Sequence, residues 1–295
     1  MKTNPPSPRL RRIKKIIMKS LLTQILVLTF VSSFIFQSCK KEEQTEEPCN
    51  QPVSVDLGID QIIHEGDSLS LDAGNSGATF LWNTGATSQS IVVSETGDYS
   101  VTVTSCSHTA SDTIHIELSY PVVAVSTDFG NFKIWLYHQT PQHRANFLSL
   151  TGDNFYDSLI FHRVVQNFVI QGGDPDGTGL GGPGYTIPAE IIPGLNHVYG
   201  AVGAARLDDN VNPDKESNGS QFYIVCDPNG EAGLNGNYTV FGIVFTGLET
   251  VMAISQVEVD ANQRPLSDVV MNSVSIAYYT TGQLMDDFGF EAPLP

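Results

Sequence analysis

The sequence predicts a mainly β protein in two parts: a small β-sandwich, then a larger barrel capped by two helices. Three observations predict it. Glycine and proline are frequent, 26 and 16 of 295 residues, which favours a turn-rich, strand-dominated chain over a helical bundle. Residues 51–118 read as short period-two runs broken by Gly, Asn, Ser and Asp. From Tyr120 onward the texture changes to longer hydrophobic strands with two helical stretches among them. The length suits two domains after an export segment, and 41% hydrophobic against 16% charged residues is enough to bury their cores.

Residues 1–38 read as a lipoprotein-type signal peptide. Lys2, Arg9, Arg11, Arg12, Lys14, Lys15 and Lys19 precede an apolar stretch from Leu21 to Phe36, which ends at Gln37-Ser38-Cys39. A basic region, a short apolar region and a small residue before the cleavage point make a secretory signal. The apolar stretch is shorter than the roughly 20 residues a membrane-spanning helix needs. Cys39 after Ser38 resembles the bacterial lipobox, although Phe36 and Gln37 replace its usual Leu and small residue. The resemblance implies lipid attachment at Cys39. Met1 and Met18 are both open as starts.

Loss of residues 1–38 takes those seven bases from the fifteen, leaving eight Lys and Arg against 32 Asp and Glu, a formal charge of −24. So acidic a chain is repelled by phosphate backbones and anionic lipid surfaces. Nucleic acid is thereby excluded as a partner, and membrane attachment falls to the lipid. The expected location is the bacterial cell envelope, lipid-anchored at the outer membrane and facing the periplasm or the surface. Residues 39–50 are polar and aperiodic and read as a flexible tether. Lys40-Lys41-Glu42-Glu43 resembles surface-export signals of some bacterial lipoproteins, and a plain solvated linker fits equally.

In residues 51–118 the alternating runs are Val53–Leu57, Ser68–Leu71 and Tyr99–Thr104. Period-two alternation puts one face in a core and the other in water, and turns about every ten residues suit an antiparallel sandwich. Phe80-Leu81-Trp82 and Gly97-Asp98-Tyr99 resemble bacterial immunoglobulin-like domains, with Trp82 as core aromatic and Tyr99 as corner tyrosine. Val101 stands where antibody domains carry their second cysteine. Cys49 and Cys106 bracket the segment and are expected to pair in an oxidising compartment. Closing a loop of about 57 residues would stabilise by about 4 kcal/mol. Cys226, in Tyr223-Ile224-Val225-Cys226, reads as a buried small hydrophobe rather than a reactive thiol.

The second part spans residues 120–280, with 281–295 as a C-terminal tail. Val122–Thr127 and Phe132–Leu136 flank a hairpin at Asp128-Phe129-Gly130-Asn131. Thr140-Pro141 starts a helix with a hydroxyl cap and a proline in the first turn. Ala145, Phe147 and Leu148 give that helix an apolar side, and Gly152 ends it. A second helix runs from about Leu248 to Gln256. Strands with two short helices suggest a closed, capped barrel.

Four separated blocks then occur in order: Phe161-His162-Arg163 with Phe168 and Gln171-Gly172-Gly173, Ala201–Arg206, Gly219-Ser220-Gln221-Phe222, and Val240-Phe241-Gly242. Across residues 121–278 this set resembles the cyclophilin family. The resemblance implies an eight-stranded antiparallel barrel, catalysis of X–Pro isomerisation, proline-containing polypeptides as partners, and no cofactor or metal. It also implies the site residues. Arg163, Phe168 and Gln171 match the catalytic positions. Phe168, Val169, Tyr223 and Leu234 match the proline pocket, and Ala205, Arg206, Gln221 and Tyr238 match the groove beside it. Val169 replaces the family's usual methionine and Tyr223 a phenylalanine, which adds a hydroxyl at the pocket wall. Gly233 and Tyr238 stand where tryptophan and histidine are frequent, which argues against high sensitivity to cyclosporin-type ligands.

These residue types suit the reaction. Rotation about the peptide C–N bond meets a barrier of about 18–20 kcal/mol because the nitrogen lone pair is delocalised. No bond breaks, so no nucleophile is required. A donor that bonds the pyramidal prolyl nitrogen stabilises the twisted state over the planar one, and an arginine supplies fixed, permanently charged donors. The histidines lack metal spacing. Asp174-Pro175-Asp176-Gly177 opens like a calcium loop, but Tyr185 takes the position needing a bidentate glutamate. Gly177–Gly184 lacks the lysine of a phosphate cradle and reads as a surface loop. Two functions follow: an isomerase assisting the folding of exported proteins, or a lipid-anchored module that binds proline segments with little turnover.

Overall fold

Alternating runs become ladders wherever a neighbouring strand can complete them. The computed structural model describes residues 52–294. The expected signal peptide, the tether, Cys39 and Cys49 lie outside the described residues. The first strands are β1 (Gln61–His64), β2 (Leu69–Asp72), β3 (Thr79–Trp82), β4 (Ser90–Val93), β5 (Gly97–Ser105) and β6 (His108–Thr127). β2 pairs with β4, and β3, β5 and the first half of β6 form a second antiparallel set. Leu71, Trp82, Val93, Val101, Val103, Ile114 and Ile116 form their shared core. Trp82 is 1% exposed, and its indole N–H donates to the Ser88 carbonyl at 2.9 Å. The Tyr99 hydroxyl donates back to the Glu95 carbonyl at 3.0 Å. The run Val53–Leu57 is not a strand. Its apolar residues still pack on this core, but the Leu57 N–H donates to the Asp112 carboxylate at 2.6 Å rather than to a ladder.

β6 is 20 residues long and passes residues 118–120 without a turn. Its first half pairs with β5, and its second half with β7 (Gly130–Leu136) across a two-residue turn at Asp128-Phe129. The remaining elements are α1 (Pro141–Gly152), β8 (Arg163–Val165), β9 (Val169–Gly172), β10 (Thr186–Ile187), β11 (Ala201–Ala204), β12 (Ser217–Asn218), β13 (Phe222–Val225), β14 (Val240–Thr246), α2 (Leu248–Ser255), β15 (Met271–Thr280) and α3 (Thr281–Phe288). Eight antiparallel strands follow the order β15-β6-β7-β14-β11-β13-β9-β8. The ends meet through the Ile160–Val270 bridge, flanked by Phe161 N–H to Val269 O at 2.9 Å and Met271 N–H to Leu159 O at 2.8 Å. Phe132, Ile134, Ile170, Phe222, Ile224 and Met271 fill the interior, and α1 and α2 add Phe147, Leu150, Val251 and Ile254.

The N-terminus of α1 departs from expectation. The Thr140 hydroxyl does not cap it but bonds the Tyr137 carbonyl at 3.2 Å. Glu190 caps instead, accepting from the N–H groups of Gln142 and His143, each at 3.0 Å. A carboxylate there also meets the positive end of the helix dipole. Ala145 is exposed, so the buried side of α1 runs through His143, Phe147, Leu150 and Thr151.

Residues 281–288 are not a plain tail. They form α3, started by a capping box between Thr280 and Gln283. Leu284 and Phe290 pack with Leu118, Tyr120, Val122 and Trp135, and Ile63 of β1 joins the same cluster. Glu65 ties the first module to the barrel, accepting from His138 at 2.8 Å and pairing with Arg144. His64 stacks on Tyr278 with centroids 3.7 Å apart. No helix among the described residues is long and apolar enough to cross a membrane.

Candidate active site

Strand register lays out the site. Arg163 pairs with Gln171, Gln171 with Tyr223, and Tyr223 with Gly203, one row across β8, β9, β13 and β11. Because side chains alternate, this row faces outward while Val164, Ile170, Ile224 and Val202 fill the barrel. Gly203 is required by close approach: a Cβ there would lie 2.3 Å from Tyr223 Cζ. The phenol ring therefore lies over bare backbone.

Connecting segments raise walls around the row. Phe168 follows Asn167, which holds φ 54° in the tight β8–β9 turn. Ala205 and Arg206 follow β11, a short 3-10 turn (Ala232–Leu234) brings Leu234, and Tyr238 precedes β14. Together they enclose a cleft of about 310 Å³ lined by Arg163, Phe168, Val169, Gln171, Ala205, Arg206, Tyr223, Leu234 and Tyr238. Nine of the ten residues expected at the site therefore line one cleft. The tenth, Gln221, is buried behind it.

Gln221 still bears on the geometry. Its Nε2 donates to the carbonyls of Gly181 at 2.8 Å and Gly179 at 3.1 Å. Carbonyls only accept, so Gln221 must turn its oxygen to Gln171, whose Nε2 donates to it at 3.0 Å. Gln171 in turn presents its oxygen to Arg163 Nη1 at 3.3 Å. The loop carrying those carbonyls is organised by Asp174, whose carboxylate accepts from the N–H groups of Asp176, Thr178, Gly179 and Gly181. Burial pushes this carboxyl up, but those backbone bonds outweigh it and hold it below the usual aspartate range. The acidic loop thus serves its own conformation.

Arg163 is fixed from a second side by Gln263, which sequence reasoning missed. The Nε–H donates to Gln263 Oε1 at 2.8 Å. The guanidinium carbon lies 5.9 Å from the Phe168 ring centre. An arginine carries five N–H donors, and the bonds to Gln263 and Gln171 occupy two. The other three have no partner among the described residues. Burial pulls the guanidinium pKa down from its ordinary value, yet an arginine so placed stays charged. The cleft's other arginine is not free. Arg206 donates to the carbonyls of Asn237 and Leu207, each at 2.9 Å, pairs with Asp209 at 2.5 Å and stacks 4.5 Å from the Tyr238 ring.

Two other groupings invite chemistry. Ser217, His143 and Glu190 form a Ser-His-carboxylate line, with Ser217 Oγ to Nε2 at 2.9 Å and Nδ1 to Glu190 at 2.6 Å. Ser217 is 1% exposed and Glu190 is committed to capping α1, so this line fastens a helix to β12. Burial pushes the Cys226 thiol up to about 12, which leaves it inert. Among the described residues no cluster of His, Cys, Asp or Glu is placed to hold a metal.

The cleft thus offers three unengaged donors of a fixed cation beside an apolar cup, with no activated nucleophile in it. Comparisons with known proteins agree with that chemistry. The family described as "Cyclophilin type peptidyl-prolyl cis-trans isomerase/CLD" matches residues 122–276. The peptidyl-prolyl cis-trans isomerase CYP18-2 of Arabidopsis thaliana is 38% identical over 157 residues, covering 52% of this chain and 92% of that protein. Peptidyl-prolyl cis-trans isomerase B of Bacillus subtilis is 48% identical over 115 residues, 39% of this chain and 76% of its own length. A cyclophilin-type isomerase of Cryptosporidium parvum, crystallised in the presence of the dipeptide Ala-Pro, is 32% identical with a TM-score of 0.49, covering 53% of this chain and 98% of that one. The chain belongs to the cyclophilin-type peptidyl-prolyl cis-trans isomerases.

Proposed function

We propose that the cleft isomerises X–Pro bonds of exported proteins, with Arg163 as the catalytic donor and the cup as the proline seat. The proline ring enters against Phe168, Val169, Tyr223 and Leu234. The acyl side rotates while the ring is held, and the prolyl nitrogen, pyramidal in the twisted state, accepts an N–H of Arg163. In the planar ground state that lone pair is delocalised and accepts poorly, so the bond favours the transition state. Gln171 orients Arg163 and, with Ala205 and Arg206, offers polar groups to the residues before proline. The observation that carries this reading is a guanidinium held by two glutamine oxygens with three donors left beside an apolar cleft.

A protease-coupled isomerisation assay on short Xaa-Pro peptides tests it. Arg163→Ala is expected to lower kcat/KM by about 100-fold or more while the fold persists. Equal, slow rates in both proteins with retained peptide binding would instead support a lipid-anchored binding module. The reading extends to location: lipid at Cys39 holds the protein at the cell envelope, Cys49 pairs with Cys106, and the immunoglobulin-like module sets the isomerase off the membrane. The basic-apolar-Ser-Cys order of residues 2–39 supports this. Mass spectrometry of the mature N-terminus tests it, expecting a diacylated Cys39.

A further inference from the structure

Tyr223 places a phenol in the wall of an apolar cup, where a free hydroxyl would offer a bond to substrate or water. The structure removes it. His197, 2% exposed, lies behind the wall with its Nε2 2.8 Å from the Tyr223 oxygen, the two rings nearly parallel at 13°. On its other side Asn235 Oδ1 accepts the His197 backbone N–H at 2.8 Å and stands 2.9 Å from Nδ1. An atom that accepts a backbone N–H is the amide oxygen, so Nδ1 must carry the ring proton. A neutral imidazole then has Nε2 as its acceptor, and the Tyr223 O–H must donate to it. Burial lowers the His197 pKa, consistent with a neutral ring.

We infer that His197 is a positioning residue of the isomerase cleft, which draws the Tyr223 hydroxyl away from the bound proline and ties Tyr223 on β13 to the turn bearing Leu234. The inference rests on the proposed seating of proline in this cup. Asn235 directly follows Leu234, so one imidazole links two walls of the cleft. The ring of Tyr223 is fixed on its other sides by the bare backbone at Gly203 and by an edge-to-face contact with Tyr238 at 6.0 Å.

A double-mutant cycle tests the link, because leaving one partner of a buried hydrogen bond costs more than removing both. His197→Leu is expected to lower kcat/KM about tenfold, and Tyr223→Phe about threefold. The double variant is expected to recover to about the Tyr223→Phe level, whereas losses that multiply would overturn the inference. Nitrogen NMR of labelled histidine gives a readout independent of turnover and of whether His197→Leu folds. Wild-type His197 should show a protonated Nδ1 and a hydrogen-bonded, unprotonated Nε2 whose resonance moves in Tyr223→Phe. A protonated Nε2, or a resonance indifferent to Tyr223→Phe, would refute it. Arg163→Ala in the same assay separates the two claims. Wild-type turnover there would remove proline from this cleft, while the NMR result would still decide the hydrogen bond.

Discussion

Gln263→Asn isolates the hold on Arg163. Gln263 sits at φ 66° in a turn closed by its N–H to Asp260 O at 3.0 Å, and its carbonyl accepts the Val164 N–H at 2.8 Å. Asparagine tolerates that left-handed conformation, so the turn survives the change. The side chain shortens by one carbon–carbon bond, about 1.5 Å, and its oxygen withdraws from 2.8 Å to about 4.3 Å from Nε, outside hydrogen-bond range. A hydrogen bond to a charged group contributes about 1.5–3 kcal/mol. Arg163 is only part-buried, so water replaces some of it and the lower end applies. That corresponds to about a tenfold fall. It should appear in kcat with KM nearly unchanged, because the guanidinium is engaged in the twisted state rather than the planar one. Protease-coupled kinetics at several peptide concentrations read both parameters, and thermal melting checks the fold. Wild-type kcat in Gln263→Asn, beside an inactive Arg163→Ala, would refute the idea that this bond aims the catalytic donor.

Gly203→Ala forces a methyl to within 2.3 Å of the Tyr223 ring; overpacking of this kind costs about 1–3 kcal/mol, so a lower urea midpoint and weaker proline-peptide binding are expected together. His143, His162 and His197 are all buried, and burial lowers each pKa below that of a free imidazole. The unfolded chain then takes up protons first as pH falls, so stability is full above about 6.5 and is lost below it, by at most about 4 kcal/mol per pH unit while all three differ between states. Urea midpoints measured from pH 7.5 down to 5 should fall accordingly, and a flat profile would contradict the burial of neutral rings. Trp82→Ala empties the centre of the first module and should cost about 3–5 kcal/mol. Because β6 serves both cores, calorimetry should show one transition moved to lower temperature; separate transitions would mean that β6 does not couple them.

What could be read from the residues alone follows the range of the interaction concerned. The Asp128-Phe129 turn, α1 and α2 rest on local signals and stand within a residue or so of where those signals put them. Val53–Leu57 alternates correctly but lacks a ladder, since alternation reports a half-buried extended segment and not its partner. α3 escaped because the stretch from Thr280 to Phe288 is too short to show a periodic pattern, and only the reciprocal cap between Thr280 and Gln283 marks its start. Thr140 was a reasonable cap by type, but a carboxylate 50 residues downstream outcompetes its hydroxyl. Gln263 and His197 carry no local mark at all. Gln263 acts on a residue 100 positions away in the chain and His197 on residues 26 and 38 positions away, and a lone glutamine in a polar turn reads as solvated surface.

The cleft itself was hidden from periodicity for a different reason. β11 and β13 are buried at every position, and β9 at all but Gln171. Such strands carry no alternation and read as the interior of a sheet covered on both faces. One face does fill the barrel. The other belongs to a second cluster, Val169, Ala201, Ala205, Tyr223, Val225 and Val240, with Phe168, Leu234 and Tyr238 against it. Six of its members, Phe168, Val169, Ala205, Tyr223, Leu234 and Tyr238, line the cup, an apolar core left open on one side. Only the two polar members of its outward row, Arg163 and Gln171, interrupt the hydrophobic pattern. On the proposed seating, a substrate proline would complete this second core much as a missing side chain would, and binding site and core therefore look alike in the sequence until the register is known.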